Sequence, residues 1–191
     1  MNNDTWLERW LPLISDKAKS GEILEIGCGW GWDTAILSEA GLSVFAIDKA
    51  ELTQAKEAAP KARFQQIDVR DFFPVSAASF SVIVASLSLH YFSWHETERL
   101  IVDIHQALNT RGLLLFRANS TEDVNHGATG YPRIEHHFYQ VDMRTKRFFD
   151  KADLVKLFDN RWQVVSQEKM EIDRFDQPKV AWELILEKAT A

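Results

Sequence analysis

The chain predicts an α/β fold in which one sheet is covered on both faces by helices. Three observations carry this: short β-rich runs alternate with helical periods, the first of those runs ends in the glycine-rich turn Gly27-Cys28-Gly29-Trp30-Gly31, and 191 residues suffice for one domain with its own core. A single domain over 1–191 is the expected organisation, with no disulfide or metal needed to hold it together.

Taken in order, residues 4–18 read as an amphipathic helix carrying Trp6 and Trp10, within an N-terminal segment of about 20 residues. The apolar run 22–27 is the first strand. After the glycines a helix over 33–40 stops at Gly41, a glycine placed as a C′ cap. A strand over 43–47, a helix over 51–58 and a strand over 63–67 follow. Strand 81–86 contains Val82-Ile83-Val84-Ala85-Ser86, and a helix over 95–108 ends at the turn Asn109-Thr110-Arg111-Gly112. Strand 112–117, helix 151–158 and strand 162–168 come next. The turn Asp176-Gln177-Pro178-Lys179 then leads to a last strand over 180–187. The stretch Asn119 to Phe149 is the least regular, and a connection of that length is usually a lid or a binding segment; the alternative is a surface excursion with a short β-hairpin of its own.

Charge excludes one class of partner. Lys and Arg number 22 against 28 Asp and Glu, a net charge of −6, which repels a phosphate backbone and argues against nucleic acid. The single cysteine, Cys28, has no internal disulfide partner, and the first ten residues hold no apolar stretch of signal length. No run reaches the length of a membrane span. A cytoplasmic chain with no membrane partner is expected, as a monomer or homodimer.

The glycine turn has its own chemistry. Gly27 and Gly29 give the backbone room to turn and to approach a ligand, and Gly31 lets the next helix start close against the strand. A dinucleotide fingerprint requires glycine at position 32, which is Trp32, so NAD is disfavoured. Glu25, in front of the glycines, suits a ligand ammonium. Asp48, closing the second strand, offers two oxygens to both hydroxyls of a ribose.

These residues resemble the class I S-adenosylmethionine-dependent methyltransferase family. Glu25-Ile26-Gly27-Cys28-Gly29-Trp30-Gly31 matches its first motif, Asp48 its ribose acid, and Gln66-Ile67-Asp68-Val69 its adenine-contacting segment, over a stretch from about Gly21 to Arg117. The resemblance implies a three-layer Rossmann-like methyltransferase fold, with a seven-stranded, mostly parallel sheet whose last strand is antiparallel. It implies S-adenosylmethionine as cofactor and S-adenosylhomocysteine as product. Its cofactor residues would be Glu25, Gly27, Cys28, Gly29, Trp30, Gly31, Asp48, Lys49, Asp68, Val69 and Ser86, Asp68 accepting from the adenine amine and the Val69 amide donating to a ring nitrogen. Against Asp68 stands the reading of Asp68-Val69-Arg70-Asp71 as an ordinary charged turn.

A small-molecule acceptor methylated by direct displacement is the implied reaction. The alternative is a non-catalytic S-adenosylmethionine-binding subunit that acts through a protein partner. His90 and Tyr91, after strand four, are the catalytic candidates, His90 as a general base for a hydroxyl or thiol acceptor; both rings could instead simply pack. Arg117 at the end of strand five would bind an acidic group of the substrate, or pair with an acid such as Glu122 or Asp123. With it Asn119, Tyr131, His137 and Tyr139 complete the substrate candidates, on the reading of 119–149 as a substrate lid. No metal is expected: adjacent histidines such as His136 and His137 on an extended segment point to opposite faces.

Overall fold

The computed structural model describes residues 4, 6–71, 73, 78–173 and 175–190. In chain order the elements are α1 (Leu11–Ala18), β1 (Glu22–Ile26), α2 (Trp32–Glu39), β2 (Val44–Asp48), α3 (Thr53–Ala58), β3 (Arg63–Gln66), β4 (Phe80–Ser86), α4 (Trp94–Ala107), β5 (Leu108–Asn119), β6 (Arg133–Glu135), β7 (Phe138–Val141), β8 (Arg144–Arg147), α5 (Lys151–Leu157), β9 (Trp162–Ile172) and β10 (Lys179–Lys188). The main sheet has seven strands in the order β3-β2-β1-β4-β5-β10-β9. The five strands from β3 to β5 run parallel, and β10 is antiparallel to both its neighbours, as the family pattern implies.

Alternation along the strands separates two apolar layers. Ile23, Val82, Val84, Leu113 and Leu115 face one way and pack with Ile14 of α1, Leu37 of α2 and Ala55 of α3. Leu24, Ile83, Ala85, Leu114 and Phe116 face the other way, against Leu100 and Ile104 of α4 and Leu154 and Leu157 of α5. This is the three-layer arrangement predicted.

The helix expected over 4–18 begins later. A 3-10 turn covers Glu8–Trp10 and the α-helix proper starts at Leu11, because Pro12 lacks an amide hydrogen and is tolerated only in a first turn. Thr5 lies outside the described residues. The turn expected at Asn109-Thr110-Arg111-Gly112 is instead absorbed into β5 as a bulge: Phe80 pairs Leu108 and Val82 pairs Leu113, with Arg111 at φ 60°.

The irregular stretch forms a small antiparallel sheet, β6-β7-β8. Its ends return side by side, since Ser120 bridges Phe149 and the Phe149 amide donates to the Asn119 carbonyl at 2.9 Å. Arg147, almost fully buried, docks it to the main fold by donating to the Phe92 carbonyl at 3.2 Å and pairing with Glu135, while Glu135 accepts from the Trp94 amide at 2.6 Å.

Candidate functional site

The carboxyl ends of the parallel strands open into a cavity of about 900 Å³. This is where a doubly wound sheet binds its ligands. Its first wall comes from the loops after β1 to β4: Glu25 to Trp30, Trp32 and Asp33, Ile47 to Ala50, Ile67 to Arg70, and Ser86 to Ser88. Its second wall is Tyr91 and Phe92 with Gln140, Met143, Arg144, Thr145 and Phe175.

The glycines divide the work. Gly29 has φ +53° and no atom within 4 Å of where a Cβ would stand, so it keeps the cavity face open. At Gly27, φ +75°, a Cβ would lie 2.4 Å from that of Ser88, so glycine there admits the loop after β4. Gly31, φ +80°, does not line the cavity. A Cβ on it would meet the Ala55 backbone at 2.8 Å, so it serves the packing of α2 on α3 and its assignment as a ligand contact is corrected.

Asp48 locks the turn. Its Oδ2 accepts from the Gly29 amide at 2.9 Å and its Oδ1 from the Ala50 amide at 2.8 Å, which fixes the carboxylate at the cavity edge with further lone pairs free to accept hydroxyls. Glu25 is buried and accepts from the Thr34 hydroxyl. Burial, reinforced by the charges of Asp33 and Asp48, raises its carboxyl far above the usual range. Burial chiefly, with Glu25 and Asp48 adding to it, raises the Cys28 thiol as well, so Cys28 lines the cavity as a small apolar wall. Trp6 donates from its indole to both oxygens of Asp33 at 3.1 Å, tying the N-terminal segment to the rim.

Further along the wall, Asp68 is bound by the Arg70 guanidinium and amide, and those bonds hold its carboxyl down to about 2. The charged-turn reading therefore describes its local structure, and an adenine amine would share Asp68 with Arg70. Val69, Lys49, Trp30 and Ser86 also line the cavity. The hydroxyl oxygens of Ser86 and Ser88 are buried behind the first wall with no hydrogen-bond partner among the described residues.

The second wall departs from expectation. Tyr91 lines the cavity but His90 does not: it is a buried residue of the 3-10 turn Leu89–Tyr91, its Nδ1 without a partner among the described residues. Burial, with Lys179 and Lys146 adding to it, lowers its pKa well below the ordinary imidazole value, so it stays neutral and out of reach of a ligand. Arg117 follows the parity of Leu113 and Leu115 toward the N-terminal layer, where it pairs with Asp4 at 2.6 Å and stacks on the Trp6 ring at 4.7 Å. It lines a smaller cavity on that face, so its place in the crevice is corrected.

Asn119 is buried and donates to the Arg147 carbonyl at 3.1 Å, away from the cavity. Tyr131 bonds Asp142 at 3.3 Å on the surface, His137 bonds Asp153 at 2.7 Å, and Tyr139 packs edge-on against Phe148. The expected stretch thus reaches the cavity, but through Gln140 to Thr145 at the β7–β8 turn. That turn could have been found from Asp142, which adopts the left-handed conformation asparagine and aspartate tolerate at φ 53°. Phe175 had no such signal. The premise on the histidines is also overturned: His136 and His137 form the β6–β7 turn, His137 sits at φ 52°, and the two rings stack at 3.7 Å on one side.

Comparison with known proteins places this geometry. A model of the methyltransferase domain matches residues 23–112. Among solved structures, the fold is similar to an S-adenosylmethionine-dependent methyltransferase from Methanosarcina mazei, with a TM-score of 0.78 and 21% identity over 94% of this chain and 98% of that one. It is similar to a 1,6-didemethyltoxoflavin-N1-methyltransferase from Burkholderia thailandensis with bound 1,6-didemethyltoxoflavin and S-adenosylhomocysteine, at a TM-score of 0.73 and 17% identity over 98% and 80%. The magnesium protoporphyrin IX methyltransferase of Synechocystis PCC 6803 with bound S-adenosylhomocysteine is a third, at 0.69 and 13% over 96% and 82%. At these identities the likeness establishes the Rossmann-like methyltransferase fold. No match was found among curated protein sequences.

Proposed function

The chain belongs to the class I S-adenosylmethionine-dependent methyltransferases through the domain matched at residues 23–112, and from that premise we propose that it methylates a small-molecule acceptor held between Tyr91 and the β7–β8 turn. One observation carries the reading: a cavity of about 900 Å³ with two chemically different walls, near the upper end of small-molecule sites at roughly 300–1,000 Å³ and so roomy enough for a cofactor and a small acceptor together.

The first wall fits the cofactor. Gly29 leaves its face clear, Asp48 is oriented by two amides to receive ribose hydroxyls, and Glu25 suits an ammonium. S-adenosylmethionine supplies a methyl group already activated on a sulfonium. The protein's task is alignment, which can lower a barrier by about 7–11 kcal/mol in well-oriented cases.

For the acceptor, Tyr91, Phe92, Met143 and Phe175 offer an apolar lining, while Gln140, Thr145 and the Arg144 guanidinium offer polar contacts. Such a wall suits a compact acceptor with an apolar body and a carbonyl or anionic group facing Arg144. His90 lies outside the cavity, so an acceptor that needs no imidazole base fits best. Two of the structural neighbours are named for small-molecule acceptors, which agrees with this choice.

The test is calorimetric titration with S-adenosylmethionine, S-adenosylhomocysteine and NADH, followed by a mass-spectrometric screen of small acceptors for a gain of one methyl. Binding of the two adenosyl ligands alone, with transfer that Arg144→Ala weakens through KM, supports the reading. Transfer to proteins or nucleic acid and not to small molecules would refute the acceptor class.

A further inference from the structure

Outside the cavity, the β6–β7 turn meets the start of α5. Here His136, His137, Asp150 and Asp153 each bring one donor atom into a group whose members all lie within 4.8 Å of one another. We propose that these four side chains bind one divalent transition-metal ion of the zinc class. The proposal is independent of the methyl-transfer reading, since none of the four lines the cavity.

The local fold explains how sequence neighbours become joint ligands. The left-handed conformation of His137 turns its ring to the same side as that of His136, at an interplanar angle of 31°. Asp150 is the N-cap of α5 and Asp153 its N3 residue, joined by reciprocal side-chain bonds to backbone amides. That capping box presents both carboxylates on the side facing the histidines. His137 Nδ1 already contacts Asp153 Oδ2 at 2.7 Å, a contact a shared metal would replace. Asp153 is only 9% exposed, so its carboxylate is held in place, whereas His136 is exposed and free to swing in.

Donor chemistry selects the ion. Two imidazoles with two carboxylates form a borderline nitrogen and oxygen set, suited to Zn(II) or Co(II) and poor for Mg(II) or Ca(II), which favour oxygen alone. Tetrahedral zinc at about 2.1 Å from each ligand needs donors about 3.4 Å apart, so donors now within 4.8 Å of one another close by up to about 1.4 Å. The two carboxylates balance a divalent charge. The nearby cation Arg147 is offset by its own partner, Glu135.

The consequence is mechanical. A metal here would join the β6–β7 turn to α5, at the end of the hairpin opposite Gln140 to Thr145, and so stiffen the piece of chain that forms part of the second wall.

The test uses tag-free, chelator-treated protein titrated with Zn(II), Co(II) and Mg(II) by calorimetry, with the visible spectrum of the Co(II) form and thermal melting as further readouts. One equivalent of Zn(II) with Kd below about 10 µM, a four-coordinate Co(II) spectrum and a raised Tm are expected, the last because binding to the folded state alone stabilises it. His136→Ala, at an exposed position, and His137→Asn, whose side chain tolerates the left-handed turn, should each weaken Zn(II) at least tenfold. Absence of binding, Mg(II) binding as tight as Zn(II), or Zn(II) binding unchanged in both variants would each overturn the proposal.

Discussion

At the residue scale, two carboxylates on the first wall do opposite things. Asp48 is ordered by two amides before any ligand arrives, so its loss removes both a turn anchor and a ligand acceptor. Asp48→Ala should raise the Kd for S-adenosylhomocysteine about 10- to 100-fold, the worth of one hydrogen bond to a charged group at about 1.5–3 kcal/mol. Calorimetry reads this directly, with Asp48→Asn intermediate because it keeps one acceptor. Glu25 is strained by its burial. An unfolded glutamate loses its proton near 4.5, while the folded one holds it to a pH well above that. The folded state therefore binds more protons in between, and its stability falls as pH rises through that window. Glu25→Gln should raise the Tm of the ligand-free protein at pH 7.5, with the gain shrinking toward pH 5, while weakening S-adenosylmethionine. An equal or lower Tm at pH 7.5 would contradict the burial argument.

Elements show which parts of the fold were legible. The runs at β1, β2 and β4 were readable because they are buried on both faces, which demands continuous apolar sequence. A short β-hairpin was an open alternative for 119–149, but the bounds of β6 to β8 were not readable, because these strands are three or four residues long and largely polar, as in Arg144-Thr145-Lys146-Arg147. The same contrast governs the site. Glycines and acids at turn positions announce themselves, whereas Met143 and Phe175 line the cavity only because of where distant strands put them. Arg117 stands at the carboxyl end of its strand, as a crevice residue would, but the alternation it shares with Leu113 and Leu115 turns its side chain to the N-terminal face, where it pairs with Asp4. One prediction belongs here. Gly31→Ala combines a left-handed backbone, about 1–2 kcal/mol, with a contact of 2.8 Å to Ala55. Tm should drop by about 5–10 °C at roughly 2–4 °C per kcal/mol. Gly29→Ala, in open space, should lose more in cofactor affinity than in Tm.

For the whole molecule, the sheet separates two cores that share strands but no facing side chains. Ile14 belongs to the layer of α1 to α3 and Leu100 to that of α4 and α5, each with no exposed surface. Ile14→Ala and Leu100→Ala should each cost about 2–5 kcal/mol in denaturant unfolding. The double variant should equal their sum within about 0.5 kcal/mol, because the sites share no partner. A larger coupling would mean that the two layers communicate through the strands. Arg147 and the paired ends at Ser120 and Phe149 fasten the inserted sheet onto this frame as a separately rooted piece.

That rooting bears on how such a protein changes over generations. The loops after β1 and β2 and the β7–β8 turn are distant in the chain and face each other across the cavity. Mutations in Gln140 to Thr145 can therefore accumulate without touching the Gly29–Asp48 lock, and descendants of this chain can drift toward new acceptors while inheriting the same methyl donor.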